Sequence, residues 1–260
     1  MIEATLEPER RLPRSGLGWV LPALFSPRAT FPIIAAETRS VWLTPLILAS
    51  LGSLLYAAAA GWLRSVAALG GELQLPPDFQ YYPPEVQEQI MRAFQATSGP
   101  VFLYVFPALV ALASVWIGWL LLSGMLHLTL TLLGGRGSIG TSLNLVAWAG
   151  LPLVIRDLVR VVAMLITDRL ILHPGLSGFA PAGTGVGLLI FVEFIKLVDL
   201  YLIWTIVLLI IGSRASGNLT TGKAMVAVLI SLVIGLALKA AISAGVGYLG
   251  TLTVSRPFMF

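Results

Sequence analysis

The sequence predicts an all-α polytopic membrane protein, a bundle of five transmembrane helices with short interfacial helices. Three observations carry this. Of 260 residues, 57% are hydrophobic and only 11% charged, against about 25% charged in a soluble domain, and the mean hydropathy is +0.93. Apolar runs of the roughly 20 residues that cross a bilayer recur along the chain. The polar segments between them are short, and Lys and Arg sit mostly at the run ends. The net charge of +4 and the pI near 9.7 therefore point to membrane orientation and anionic-lipid contact, not to nucleic acid. Cysteine is absent, which excludes disulfides, thiol nucleophiles and cysteine metal sites. His127 and His173 alone do not make a zinc site, so neither a metal nor a cofactor is expected.

Residues 1–16 are a polar tail without the apolar centre of a signal peptide, expected to stay cytoplasmic. Residues 17–41 form an interfacial segment. LGWVLPALF is too short to span and contains Pro22, while Trp19 and Phe25 suit the lipid–water boundary. With Arg28, Glu37 and Arg39 among apolar neighbours, this segment is expected to lie on the membrane surface as a short amphipathic helix. The membrane domain is 42–250.

Its first span is 42–63. Pro45 falls in the first turn, where a missing N–H costs little. Ser53, Ala57 and Gly61 repeat every four residues, a small-residue face that lets another helix approach closely. QLPPDFQYYPP is a proline-rich loop. In EVQEQIMRAFQA, Val86, Ile90 and Phe94 recur at four-residue spacing, which predicts an amphipathic helix on the far face, begun by Pro83 and Pro84. The second span is 107–133, with His127 near its exit. GGRGSIGTS is a short turn. The third span, 143–166, holds Pro152 as a kink, and a Gly/Pro-rich connection leads to the fourth, 185–212. The fifth, 223–249, carries a second small-residue face, Ala237, Ala241 and Gly245. Residues 251–260 form an external tail.

Gly135-x-Gly137-x-x-Gly140 and Gly245-x-Gly247-x-x-Gly250 spell a dinucleotide fingerprint. Neither follows a strand in a βαβ unit, as that mechanism requires. Thr141 stands where a phosphate loop needs lysine, so no nucleotide site is expected.

An unpaired charge in the bilayer core costs about 2.5–3.5 kcal/mol on the most lenient scale. Arg156, Asp157 and Arg160 in the third span and Glu193, Lys196 and Asp199 in the fourth must therefore be paired or wet. Their formal charges sum to zero. Depth counted from the outer ends matches Arg160 with Glu193 and Asp157 with Lys196, and brings Arg156 to Glu193 or Asp199. Glu193, Lys196 and Asp199 also pair at i,i+3. Lys239 is left over, with a stem long enough to reach the interface. The cluster is either an ionic clasp fixing helix register or a polar path between helices.

Positive residues give the topology. Arg10, Arg11, Arg14, Arg28, Arg39, Arg136, Arg214 and Lys223 fall on one side, and Arg64, Arg92, Arg169 and Arg256 on the other. The excess puts the N-terminus in the cytoplasm, and five spans put the C-terminus outside.

At Leu197 to Ser231, LVDLYLIWTIVLLIIGSRASGNLTTGKAMVAVLIS, the chain resembles the Yip family of Ypt-interacting membrane proteins, particularly its short prokaryotic members. The resemblance rests on Asp199 before Trp204, an apolar run, Ile211-Gly212, a small polar turn, and Gly222-Lys223-Ala224. LLGGRGSIGTSLNLVAWAGLPLVI (Leu132 to Ile155) and FSPRATFPII extend it over most of residues 25–250. It implies five spans with a cytoplasmic N-terminus. Eukaryotic relatives are linked to Golgi membranes and small GTPases, and usually carry a longer N-terminal region. Some prokaryotic relatives accompany transporters.

The expected function is that of a non-enzymatic membrane protein, an accessory or organising partner of another membrane protein, of a transporter, or of itself, or an agent of membrane trafficking. A small GTPase is the weaker partner expectation, given the short N-terminal region. The alternative is a small transporter or channel using the charged cluster. No Ser/His, paired-Asp or zinc-helix arrangement appears in the spans to suggest an enzyme.

Overall fold

A computed structural model describes residues 16–69, 79–97, 99–171, 173–181, 185–217 and 219–255. Of the expected tails, 1–16 and 251–260, residues 1–15 and 256–260 lie outside the described residues, as do 74–78 of the proline-rich loop, while 251–255 continue the last helix. A 3₁₀ turn, Gly16–Trp19, leads into α1 (Val20–Phe25), α2 (Pro27–Ala36) and α3 (Leu43–Leu69). Then come α4 (Pro84–Thr97), a π turn at Val101–Val105, α5 (Phe106–Leu132), α6 (Ile139–Ala149) and α7 (Leu151–Thr167). The chain continues with α8 (Val186–Ile195), α9 (Leu200–Gly217) and α10 (Thr221–Ser255). No strand occurs among the described residues.

Three helical stretches are long and apolar enough to cross a membrane: Leu43–Ala67, Val101–Leu132 and Thr221–Gly245. A fourth crossing exists if α8 and α9, bent by 70° at their junction, count as one span. The two expected continuous spans at 143–166 and 185–212 are thus each a pair of helices. In the first pair the break falls at Gly150, two residues before Pro152. Proline has no N–H to continue the ladder and its ring crowds the preceding turn, so it opens α7 instead of bending one long helix. In the second pair the break falls among the charged residues.

Successive long helices run antiparallel. α3 packs on α5 and α7, α5 on α6 and α10, and α10 on α8 and α9. One end of the bundle gathers the α5–α6 and α9–α10 turns, where the Lys223 ammonium donates to the Leu133 carbonyl at 3.0 Å. Between α5 and α10 the Thr129 and Ser231 hydroxyls meet at 2.8 Å. α4 carries an exposed Glu88–Arg92 pair, of the kind that adds little stability.

The segment read as a surface helix packs one face on the bundle, while Leu17, Leu21, Phe25 and Ile33 stay exposed. α2 lies along α9 and α6, with Thr30, Phe31 and Ile34 buried. Phe25 meets Trp204 at a ring distance of 6.0 Å, and Trp19 meets Trp148 at 5.8 Å. The link from α2 to α3 is stitched to α6. Asn144, itself buried, accepts from the Val41 N–H and donates to the Arg39 carbonyl, each at 3.0 Å, and the Trp148 indole donates to the Val41 carbonyl at 3.1 Å. An amphipathic pattern reports that one face leaves water, not whether lipid or protein receives it.

α2 can approach α9 because residue 212 has no side chain. A Cβ there would stand 2.7 Å from a Phe31 ring carbon and 2.8 Å from a Leu145 methyl. Gly212→Val is expected to destabilise the fold by about 1–3 kcal/mol, the usual toll of overpacking. Adding Phe31→Ala should recover part of that loss. Thermal unfolding in detergent measures both, and additive losses would argue against this contact.

Candidate functional site

α7 places Arg156, Asp157 and Arg160 on its polar side, and the α8–α9 junction presents Lys196 and Asp199. The side chains of the cluster are mostly enclosed: 16% exposed for Arg156 and Asp157, 13% for Asp199, and 33% for Lys196. Asp199 is the centre. Its Oδ2 accepts from Arg160 Nη2 at 3.3 Å and stands 3.7 Å from Arg156 Nη1. Its Oδ1 accepts from the Leu202 N–H at 2.9 Å, an N-cap on α9. Arg156 Nε also bonds its own neighbour, Asp157 Oδ1, at 3.2 Å. One carboxylate thus ties α7 to α9 and starts α9.

Glu193 and Lys196 make a separate unit. The ammonium sits 2.6 Å from Glu193 Oε1, one turn along the chain, while Glu193 Oε2 accepts from the Ser243 hydroxyl of α10 at 2.8 Å. The pairing by depth is therefore corrected: Arg160 meets Asp199, not Glu193, and Asp157 meets Arg156, not Lys196. Depth counting assumed a straight helix, and the 70° bend moves Glu193 away from α7. Of the two partners left open for Arg156, Asp199 is the one it reaches.

The α8–α9 break leaves backbone groups that lipid cannot satisfy. The connection after α7 covers them. Leu176 N–H donates to the Ile195 carbonyl at 3.1 Å. Gly175, at φ +61°, lies so close that a Cβ would stand 2.6 Å from the Lys196 carbonyl and 2.8 Å from that of Val198. Neither Ser243 nor this glycine cover stood out in the sequence. A glycine before an apolar residue in a Gly/Pro-rich connection was the one available signal.

Both carboxylate groups in α8 and α9 are engaged on each oxygen. Among the described residues no grouping of three His, Asp or Glu side chains suits a metal ion. Among the described residues these contacts tie α7 to the α8–α9 junction and α8 to α10.

The two small-residue faces differ. On α3, Ala57 and Gly61 are buried and Ser53 is partly buried. A Cβ on Gly61 would stand 2.5 Å from the Leu103 carbonyl and 2.9 Å from the Tyr104 ring, so the chain itself fills this face. On α10, Ala237, Ala241 and Gly245 are all exposed, with nothing within 4 Å of a Cβ on Gly245.

Removing Asp199 strands Arg160, leaves Arg156 with Asp157 alone and uncaps α9, so Asp199→Ala is expected to cost about 3–5 kcal/mol. Glu193→Ala frees Lys196, whose stem can carry the charge outward, and should cost about 1 kcal/mol or less. The reverse order of melting temperatures would move the centre of the clasp to Glu193.

Among the curated proteins and among the solved structures, nothing matches the chain. The family model described as the Yip1 domain matches residues 23–242, which takes in α2 through most of α10, the packed N-terminal layer and the whole charged cluster. The helical bundle with its apolar spans and this match over most of its length make one conclusion: the chain is a membrane protein of the Yip1 domain family.

Proposed function

We propose that the protein is a non-enzymatic accessory of the bilayer, organising another membrane protein through lateral helix contacts. The carrying observation is the uncovered face Ala237, Ala241 and Gly245 on α10, beside a matching face on α3 that the chain fills itself. Small residues let backbones approach, and close packing is what drives association in lipid. A second membrane protein, a transporter among them, fits such a face, and so does a second copy. A small GTPase fits less well, since residues 16–41 are folded onto the bundle and not held out as a docking arm.

The second reading, a small transporter or channel, draws on the 70° break at charged residues, a feature of discontinuous transport helices. It is second because the acidic oxygens at the break are engaged by Arg156, Arg160, Lys196, Ser243 and a backbone N–H. Liposomes containing the purified protein alone separate the two. No ion or proton flux is expected, and a stoichiometric membrane partner should co-purify in mild detergent. A flux abolished by Asp199→Asn in a folded protein would install the transport reading.

For topology, we infer five crossings with the 139–149 and 151–167 helices together as the third, the N-terminus cytoplasmic and the C-terminus external. Arg136 and Arg214 are both exposed at the bundle end that holds Lys223, which supports placing that end inside. The cysteine-free sequence allows single-cysteine labelling without background. Cysteine at the exposed Ser138 should be shielded from an impermeant thiol reagent in intact cells. Cysteine at Phe179, 87% exposed, should react. Equal labelling of both would overturn this orientation.

A further inference from the structure

The geometry points to a site for the phosphate headgroup of an anionic phospholipid between α7 and α10, with Lys239 as its principal cation. α7 and α10 both pack on α9 but not along one another, since α7 leans otherwise on α3 and α10 on α5 and α8. That leaves a gap between them. Lys239 stands at its edge, exposed, and no carboxylate among the described residues lies within ion-pair distance of it. Arg156, Asp157 and Arg160 are near enough for their charges to act on it.

The charges of α7, α8 and the junction cancel, so Lys239 gives the region one surplus positive charge. One turn further along α10, Ser243 donates to Glu193, which is already shared with Lys196. The flanking Leu238 and Ile242 are exposed apolar side chains of a lipid-facing helix. The exposed side chain is therefore open to lipid on one side, and the anion that lipid supplies is phosphate.

Depth agrees. Lys239 lies sixteen residues past Lys223, whose ammonium is fixed at one bundle end. At 1.5 Å per residue that is about 24 Å, close to the far side of a ~30 Å hydrocarbon core. Arg160 sits seven residues before the end of α7 at Thr167, about 10 Å from the same far side. A lysine stem bridges the remaining distance to the headgroup level.

The test uses the full chain purified in zwitterionic detergent, with bound lipid counted by native mass spectrometry. The probes are phosphatidylglycerol, phosphatidylcholine and inorganic phosphate. Phosphatidylglycerol should be retained about fivefold over phosphatidylcholine, the worth of one basic side chain near anionic headgroups. Lys239→Gln should bring that ratio near one, Lys239→Arg should keep it, and Lys223→Gln at the opposite end should leave it unchanged, all with unaltered circular dichroism. An undiminished ratio in Lys239→Gln overturns the site. Displacement of the lipid by millimolar inorganic phosphate also overturns it, in favour of a soluble anion as ligand.

Discussion

The junction of α7 with α9 depends on the Asp199 carboxylate. In a bilayer each backbone group must find a partner inside the protein, because no water is present to supply one. A helix that breaks within an apolar stretch frees N–H groups on one side and carbonyls on the other. Asp199 answers the first need by capping α9 and answers the charges of Arg156 and Arg160 at the same time. The second need falls to Gly175 and Leu176, and here φ +61° and the nearness of three carbonyls leave room for glycine alone.

The bend has consequences at a distance. It turns α8 onto α10, where Glu193 meets Ser243, and so divides six charges into two units. It also leaves α7 on the α3 side of the molecule. There Gly52 of α3 lets Val154 approach, a Cβ at that glycine standing 3.4 Å from the Val154 methyl. α3 therefore has both its small residues and its glycines committed to neighbours, whereas much of α10 remains uncovered.

The class of fold was legible because it follows from composition: lipid as solvent demands helices, and hydropathy marks them. The family was legible in the turn around Gly212 and Lys223, and the match over residues 23–242 bears it out. The members of the charged cluster were legible because charge in an apolar run is conspicuous, but their partners were not. Pairing by depth needs straight helices, and nothing in the run 185–212 announces a break except Asp199 itself, a good N-cap residue preceding an apolar stretch. Pro152 signalled a kink, and α6 gives way to α7 two residues earlier, at Gly150. Residues 17–41 showed an amphipathic pattern whose receiving surface, α6 and α9, lies more than a hundred positions downstream, beyond the reach of any local reading.

Buried ion pairs are poor stabilisers compared with well-packed apolar side chains, because desolvation consumes most of the attraction. Stability alone is then a weak reason for this chain to hold six charges between its helices. Shape is a stronger one. With apolar residues at 193, 196 and 199, the stretch 185–212 would gain nothing from interrupting its hydrogen bonds, and a straight α8–α9 helix would be the lower-energy form. α8 would no longer be turned onto α10, and the Glu193–Ser243 contact would be lost. The ion pairs and the bend thus belong together: the bend frees an α9 N–H that the Asp199 carboxylate accepts, and it brings that carboxylate to the arginines of α7.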